Sequence, residues 1–116
     1  MKLTIPQYRA MSRNMTNKRH WTHYVRQLKE VTELVSAYNH RANVFTKPVV
    51  IEIEAYYKGK RHVDTSNLDD KIIVDAIMKV GLIKDDTAYE NPRVIKSVYP
   101  ESGEDKLVIT ITLEAL

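Results

Sequence analysis

The chain has 116 residues, of which 43% are hydrophobic and 28% charged, and these values are typical of one soluble globular domain covering residues 1–116. No apolar run approaches the roughly 20 residues of a membrane-spanning helix, and the N-terminus lacks the apolar core of a signal peptide. The absence of cysteine excludes disulfides and thiolate zinc sites, and three glycines leave no glycine-rich phosphate loop. We therefore expect a cytoplasmic protein without a membrane partner or a nucleotide cofactor.

The net charge of +3 is unevenly distributed along the chain. Residues 1–63 carry twelve Lys and Arg residues against four acidic residues, a net charge of +8, whereas residues 64–116 carry six against eleven, a net charge of −5. A basic half of this kind suits a polyanion such as nucleic acid, through phosphate contacts and counterion release. A solvated basic face explains the same charge equally well.

The first half of the chain predicts a strand, a helix and a second strand. An apolar run at residues 3–5 stops at Pro6 and is typical of a short opening strand. From about Asn17 to Tyr38, apolar residues recur at spacings of three and four, which predicts a helix. Residues 49–56 then alternate between two sets of side chains, which predicts a strand with one face in water.

The second half predicts a helix with recognisable ends, followed by two strands. Ser66 is the predicted N-cap, Asp69 follows in a capping arrangement, and Gly81 is the predicted left-handed residue after the helix. Residues 93–100 and 106–114 are predicted strands, and the turn-forming sequence ESGED between them predicts a hairpin. The order βαβαββ predicts an α/β or α+β domain, in which a mixed sheet of about four strands packs with two helices.

Six of the seven aspartates fall between residues 62 and 87. They are Asp64, Asp69, Asp70, Asp75, Asp85 and Asp86. The predicted helix separates Asp64 from Asp85 and Asp86. Asp64 can share a site with Asp85 and Asp86 only if the loop after the helix folds back, if the next strand runs beside the helix, or if a second chain supplies an acid. Converging carboxylates are the oxygen ligands that Mg²⁺ takes, and with a metal they can activate water and stabilise charge on a phosphodiester.

The same aspartates also have structural explanations. Asp69 and Asp70 fall in the first turn of the predicted helix, where a carboxylate is favoured by the helix dipole. Asp75 stands four residues after Lys71, which predicts an ion pair along the helix. Residues 85–86 are of a type common in turns and at N-caps.

An ordered motif runs through this aspartate-rich segment. Its members are Asp64, Asn67, Leu68, Lys71, Asp75, Ala76, Ile77, Gly81, Asp85 and Asp86. The motif resembles the signature of the RusA-type Holliday junction resolvases, which are small endodeoxyribonucleases of phages and prophages. The opening strand, basic arm, helix, central strand and closing β-rich segment come in a similar order, so the resemblance extends over essentially the whole chain.

This resemblance implies a homodimer that binds four-way DNA junctions and nicks one strand per subunit, using Mg²⁺ or Mn²⁺, in a bacterial or phage-infected cell. It implies that Asp64 and Asp86 bind the metal and that Lys71 acts near the scissile phosphate. A supporting role is implied for Asn67, Asp75 and Asp85.

Two departures from the family pattern concern the metal site. The family has an acid directly before the motif asparagine, where this chain has Ser66, and one extra residue separates Asn67 from Lys71. Either Asp70 supplies the missing ligand, or Ser66 binds through its hydroxyl or a water, or the activity is weakened or lost. The alternatives to a nuclease are therefore an inactive junction-binding protein and an accessory protein that binds RNA or another protein.

Contacts with the DNA backbone are expected from basic side chains in the arm and at the end of the second strand. These are Arg13, Lys18, Arg19, Lys58, Lys60 and Arg61.

Overall fold

The computed structural model describes residues 1–13, 21–39, 45–83 and 92–114, and Trp21 by its backbone alone. Several predictions lie outside these residues: the start of the first helix at Asn17, the DNA contacts of Lys18 and Arg19, and the sites of Asp85 and Asp86. Within the described part of the chain, neither helix has the length and hydrophobicity that crossing a membrane requires.

Four strands and two helices form an α+β domain, as the sequence predicts. The strands are β1 (Lys2–Pro6), β2 (Val49–Lys58), β3 (Arg93–Ser102) and β4 (Lys106–Leu113), and the helices are α1 (Trp21–Tyr38) and α2 (Asp70–Val80). The sheet is mixed, in the order β1-β4-β2-β3. β4 runs antiparallel to β1 and to β2, whereas β2 and β3 are parallel and are joined through α2.

The predicted hairpin between β3 and β4 is wrong, because β2 lies between these two strands. The link at residues 103–105 passes over the end of β2, where the Asp105 carboxylate accepts a hydrogen bond from the backbone N–H of Lys58 at 2.8 Å. A strand, a helix and a second strand in succession favour parallel pairing through a crossover. That pairing places β3 on one side of β2 and leaves the other side to β4.

The core lies between the helices and one face of the sheet. The alternation in β2 places five side chains in it: Val49, Ile51, Ile53, Ala55 and Tyr57. They share this core with the apolar faces of α2 (Ile72, Ile73, Ala76, Ile77) and α1 (Val31, Val35). Two residues of the apolar pattern predicted for α1, Val25 and Tyr38, are exposed instead.

Helix α2 begins three residues later than predicted. Ser66 lies in a short 3₁₀ turn, Thr65–Asn67, so its assignment as the N-cap is wrong. Asp69 is the N-cap, and its carboxylate accepts a hydrogen bond from the backbone N–H of Ile72 at 3.4 Å. The predicted end is confirmed, because Gly81 has a φ of 87° and its N–H reaches the last carbonyls of the helix.

Candidate active site

Asp70, the first residue of α2, lies at the centre of a charged cluster. Its Oδ1 atom is 2.5 Å from Nη2 of Arg13 and 3.6 Å from Nζ of Lys96 on β3. Lys96 also donates a hydrogen bond to the carbonyl of Leu68 at 3.4 Å. The side chains of Asp70 and Lys96 are 17% and 18% exposed, so this pair is largely shielded from water. Three segments that are distant in sequence therefore meet at one carboxylate.

The charges around Asp70 keep it ionised. Partial burial acts to raise its pKa, but the hydrogen bond from Arg13, a backbone hydrogen bond and the charge of Lys96 act in the opposite direction, and the net pKa is below the ordinary value. The carboxylate is therefore an available oxygen ligand at neutral pH. A metal ion bound to this carboxylate would have to displace Arg13 and Lys96 or share the carboxylate with them.

A pocket of about 360 Å³ opens beside this cluster, between α2 and the start of β3. Its lining consists of Asp70, Lys71, Val74, Asp75, Met78, Pro92 and Val94. The α2 members are spaced by three and four residues, so they lie on one face of the helix. Two acids of the predicted site and the motif lysine thus line the same pocket, together with apolar side chains.

Asp75 and Lys71 each contact Tyr24 of α1. The Tyr24 hydroxyl donates a hydrogen bond to Oδ2 of Asp75 at 2.5 Å, and Nζ of Lys71 lies 5.6 Å from the centre of the Tyr24 ring. The ion pair predicted between Lys71 and Asp75 is wrong, since none of the ion pairs among the described residues joins them. Burial and the hydrogen bond to Asp75 raise the pKa of Tyr24, so its hydroxyl stays a donor.

Asp69 has a structural role, as the sequence predicts. It is the N-cap of α2, however, and not a residue of the first helical turn. It is 4% exposed, and its Oδ2 atom has no hydrogen-bond partner in the part of the chain that the structure describes. Its backbone N–H donates to the carbonyl of Met11 at 2.9 Å, which anchors the start of α2 to the N-terminal segment. Neighbouring aspartates thus have different tasks, because Asp69 fixes the helix start and Asp70 lines the pocket.

Asp64 is exposed just before the 3₁₀ turn, and its carbonyl accepts a hydrogen bond from the backbone N–H of Asn67 at 2.9 Å. Ser66 is also exposed there. Across residues 1–13, 21–39, 45–83 and 92–114, no three His, Asp or Glu side chains are close enough to hold a metal ion. The predicted meeting of Asp64 with Asp86 involves a residue outside these ranges and stays a prediction.

A basic region lies at the end of β2. Three of the predicted DNA contacts, Lys58, Lys60 and Arg61, are near neighbours in the sequence and are exposed here. Arg9, to which the sequence assigned no such role, donates to Oδ1 of Asp105 at 2.9 Å and to the carbonyl of Arg61 at 2.6 Å. Arg13 is not part of this region, because its guanidinium contacts Asp70.

Two residues of the candidate site, Lys96 and Tyr24, were missed from the sequence. The sequence held a signal for Lys96. It lies two residues after Val94 and two before Val98 in β3, so the three side chains point to the same, covered face of the sheet. A lysine on such a face needs a partner, and Asp70 is that partner. Tyr24 had no comparable signal, because a tyrosine in an apolar helical pattern is most simply explained as packing.

Comparisons with known proteins identify no family. No family model matches the chain. A search of curated proteins gives no match either. The resemblance to the RusA-type resolvases therefore depends on the motif and on the order of the elements, and it stays a prediction.

Proposed function

We propose that this protein is a metal-dependent endodeoxyribonuclease that nicks branched DNA, such as four-way junctions, in recombination, repair or phage DNA processing. The observation that carries the proposal is the pocket at the start of α2, where an ionised Asp70, Lys71 and Asp75 lie together. The reaction class comes from the motif resemblance, because an acidic pocket alone is compatible with several activities.

Asp64, Asp70 and Asp86 are the proposed ligands of Mg²⁺ or Mn²⁺, since carboxylate oxygens are the protein ligands that these ions take. A bound ion would supply charge stabilisation at the phosphodiester and a more acidic water molecule. Lys71 is exposed at the pocket rim, where its ammonium can contact the scissile phosphate. Tyr24 orients this edge of the pocket by holding Asp75 and by packing its ring beneath Lys71.

The basic region at the end of β2 is the proposed contact with the DNA backbone. Lys58, Lys60 and Arg61 are exposed and stand only a few residues before Asp64 in the chain. Phosphate contacts of this kind position a nucleic acid without reading its sequence. The region can therefore hold a branched duplex while the pocket acts on one strand.

The second candidate is a junction-binding protein without nuclease activity. Two observations favour it: Ser66 stands where the family has an acid, and Asp70 is already contacted by Arg13 and Lys96. A site with fewer free carboxylates binds a divalent cation more weakly.

A titration of Mg²⁺ and Mn²⁺ in a nicking assay on a synthetic four-way junction separates these candidates. We expect metal-dependent nicking by the wild-type chain, loss of nicking with retained binding in Asp86→Asn, and a rate at least about tenfold lower in Asp70→Asn. Glu33→Gln, which removes an exposed acid on α1, is the matched control and keeps full activity.

The negative outcomes are equally informative. Junction binding without nicking under any metal concentration supports the inactive candidate. Nicking that persists in Asp86→Asn contradicts the proposed ligand set. Equal affinity for a four-way junction and for a duplex of the same length contradicts both candidates and leaves the accessory protein.

A further inference from the structure

Arg13 is the exposed member of the charged cluster around Asp70. Its Nη2 atom is 2.5 Å from Oδ1 of Asp70, and its side chain is 47% exposed, against 17% for Asp70. The sequence predicts a DNA contact for this arginine and a metal-binding role for this aspartate. A side chain expected to bind a polyanion therefore occupies the carboxylate expected to bind a cation.

The backbone beside Arg13 is fixed against the start of α2. The N–H of Asp69 donates to the carbonyl of Met11 at 2.9 Å, and Ser12 forms an antiparallel bridge with Leu68. Arg13 can therefore change its partner by side-chain rotation, which is fast in exposed residues, while its backbone stays in place.

The two cations on Asp70 differ in how easily they can leave it. Lys96 is 18% exposed, lies 3.6 Å from Oδ1 of Asp70 and also donates a hydrogen bond to the carbonyl of Leu68 at 3.4 Å. Moving a shielded ammonium away from these partners leaves polar groups uncompensated, whereas an exposed ion pair contributes little to stability. Arg13 is therefore the exchangeable cation, and Lys96 is the fixed one.

The side-chain charges described at the start of α2 balance one another. The three acids are Asp69, Asp70 and Asp75, and the three cations are Arg13, Lys71 and Lys96. With all six in place, a divalent cation would add two positive charges that this set does not offset. Transfer of the Arg13 guanidinium to another anion leaves three acids against two cations, a local sum of −1, and frees an oxygen of the type that Mg²⁺ and Mn²⁺ take.

A DNA phosphate is an anion that can compete for Arg13. The planar guanidinium presents paired N–H donors that match two phosphate oxygens, so an arginine binds phosphate as readily as it binds a carboxylate. Lys71 is exposed at the rim of the same pocket, so a phosphate that arrives there meets a second cation.

We propose that Arg13 exchanges partners when DNA binds: it contacts Asp70 without DNA, contacts a DNA phosphate in the complex, and so makes Asp70 available to a divalent cation only when the substrate is present. The exchange rests on the proposed function and deepens it by making metal binding depend on DNA binding. Because such coupling is reciprocal, DNA raises the affinity for the cation, and the cation raises the affinity for DNA by the same factor.

Mn²⁺ binding without DNA tests the first half of the exchange, with free Mn²⁺ followed by electron paramagnetic resonance. Arg13→Gln should bind Mn²⁺ on the order of tenfold more tightly than the wild-type chain. Arg13→Lys, which keeps the charge, should lie between them. The double variant Arg13→Gln with Asp70→Asn should lose the gain, because the freed carboxylate is its source.

Arg9→Gln is the matched control for these titrations. It also removes an exposed arginine from an aspartate, since Arg9 lies 2.9 Å from Asp105, but outside the pocket. Its affinity for Mn²⁺ should equal that of the wild-type chain.

Junction binding with and without Ca²⁺, which takes the same oxygen ligands, tests the second half. In fluorescence anisotropy, Ca²⁺ should raise the affinity of the wild-type chain for a four-way junction by about fivefold or more. This factor should fall towards one in Arg13→Gln, whose Asp70 is available without DNA. Arg26→Gln, which removes an exposed charge of α1, should keep the wild-type factor.

Two outcomes overturn the inference: Mn²⁺ binding by Arg13→Gln that is no tighter than wild type, or an equal effect of Ca²⁺ on junction affinity in the two chains. Metal-dependent nicking together with either outcome would overturn the exchange and keep the proposed nuclease. Coupled binding of metal and junction without nicking would keep the exchange and overturn the nuclease.

Discussion

Two charged regions of this protein use their cations in opposite ways. At the end of β2, Lys58, Lys60 and Arg61 are exposed, and the nearby carboxylate of Asp105 is occupied by Arg9. At the start of α2, Arg13 and Lys96 both contact Asp70. Net charge along the sequence does not distinguish these regions, because what matters is whether the fold places a carboxylate beside each cation.

The difference predicts separate tasks. Exposed cations without an acidic partner release counterions when they meet a polyanion, so they contribute to binding and little to folding. A shielded acid–base pair contributes to folding, since removal of either member leaves a poorly solvated charge behind. The β2 end is therefore expected to govern affinity for DNA, and the α2 start to govern the geometry of the pocket.

The largest expected effect is on DNA affinity. Replacing Lys58, Lys60 and Arg61 together by glutamine should weaken junction binding by on the order of ten- to a hundredfold. The slope of log affinity against log salt should fall by about 2 to 3, measured by fluorescence anisotropy at several salt concentrations.

The control for that variant removes the same charge elsewhere. Arg26, Lys29 and Lys47 are exposed and lie outside both regions, and their joint replacement by glutamine should change the slope much less. Equal losses in the two triple variants would show that net charge alone drives binding, and the comparison between the regions would fail.

A smaller effect is expected on stability at the start of α2. Asp70→Asn should lower the free energy of unfolding by about 1–2 kcal/mol, because it leaves the shielded ammonium of Lys96 without its carboxylate partner. Lys96→Met should lower it by less, because Arg13 still contacts Asp70. In urea denaturation, the loss of unfolding free energy in the double variant should be about 1 kcal/mol smaller than the sum of the losses in the two single variants. Additive losses would mean that the contact between β3 and α2 is not energetically coupled.

The smallest effect is expected in the pH dependence of stability. The pKa of Asp70 in the folded protein lies below its ordinary value of 3.8. Its contribution to stability is therefore complete above that ordinary value and is lost as the pH falls through the lowered folded pKa. In denaturation curves recorded from neutral to acid pH, the stability difference between wild type and Asp70→Asn should shrink at the acid end. A constant difference would contradict the assignment.

Local patterns predicted the elements well, because they depend on neighbours in the chain. Alternation identified β2, apolar spacing identified α2, and Gly81 was correctly placed at the helix end. The start of α2 was misplaced because serine and aspartate are both good N-caps. The choice of Asp69 depends on the burial of Leu68 and on the hydrogen bond to Met11, which a local pattern does not contain.

Strand pairing was the weaker part of the prediction. The sequence ESGED correctly indicated that the chain turns between β3 and β4, but a turn does not determine which strand lies alongside. The succession of β2, α2 and β3 held the better signal, since a crossover helix favours parallel neighbours.

The candidate site was predicted in part. The motif selected Lys71 and Asp75, and Asp70 was the acid expected to replace the ligand missing at Ser66. All three line one pocket because they share a helix face. Lys96 and Tyr24 come from other elements, and only the tertiary fold brings them to the helix. The ligand roles of Asp64 and Asp86 stay predictions that the nicking assay tests.

The pairing of β1 with β4 has a consequence for synthesis of the protein. β1 has β4 as its neighbour in the sheet, with Lys2 opposite Thr110. A ribosome makes β1 well before β4, so Leu3 and Ile5 cannot be enclosed until β4 has emerged. During translation β1 therefore waits without its sheet partner while β2 and β3 are made, and chaperones that bind apolar segments have their longest opportunity there.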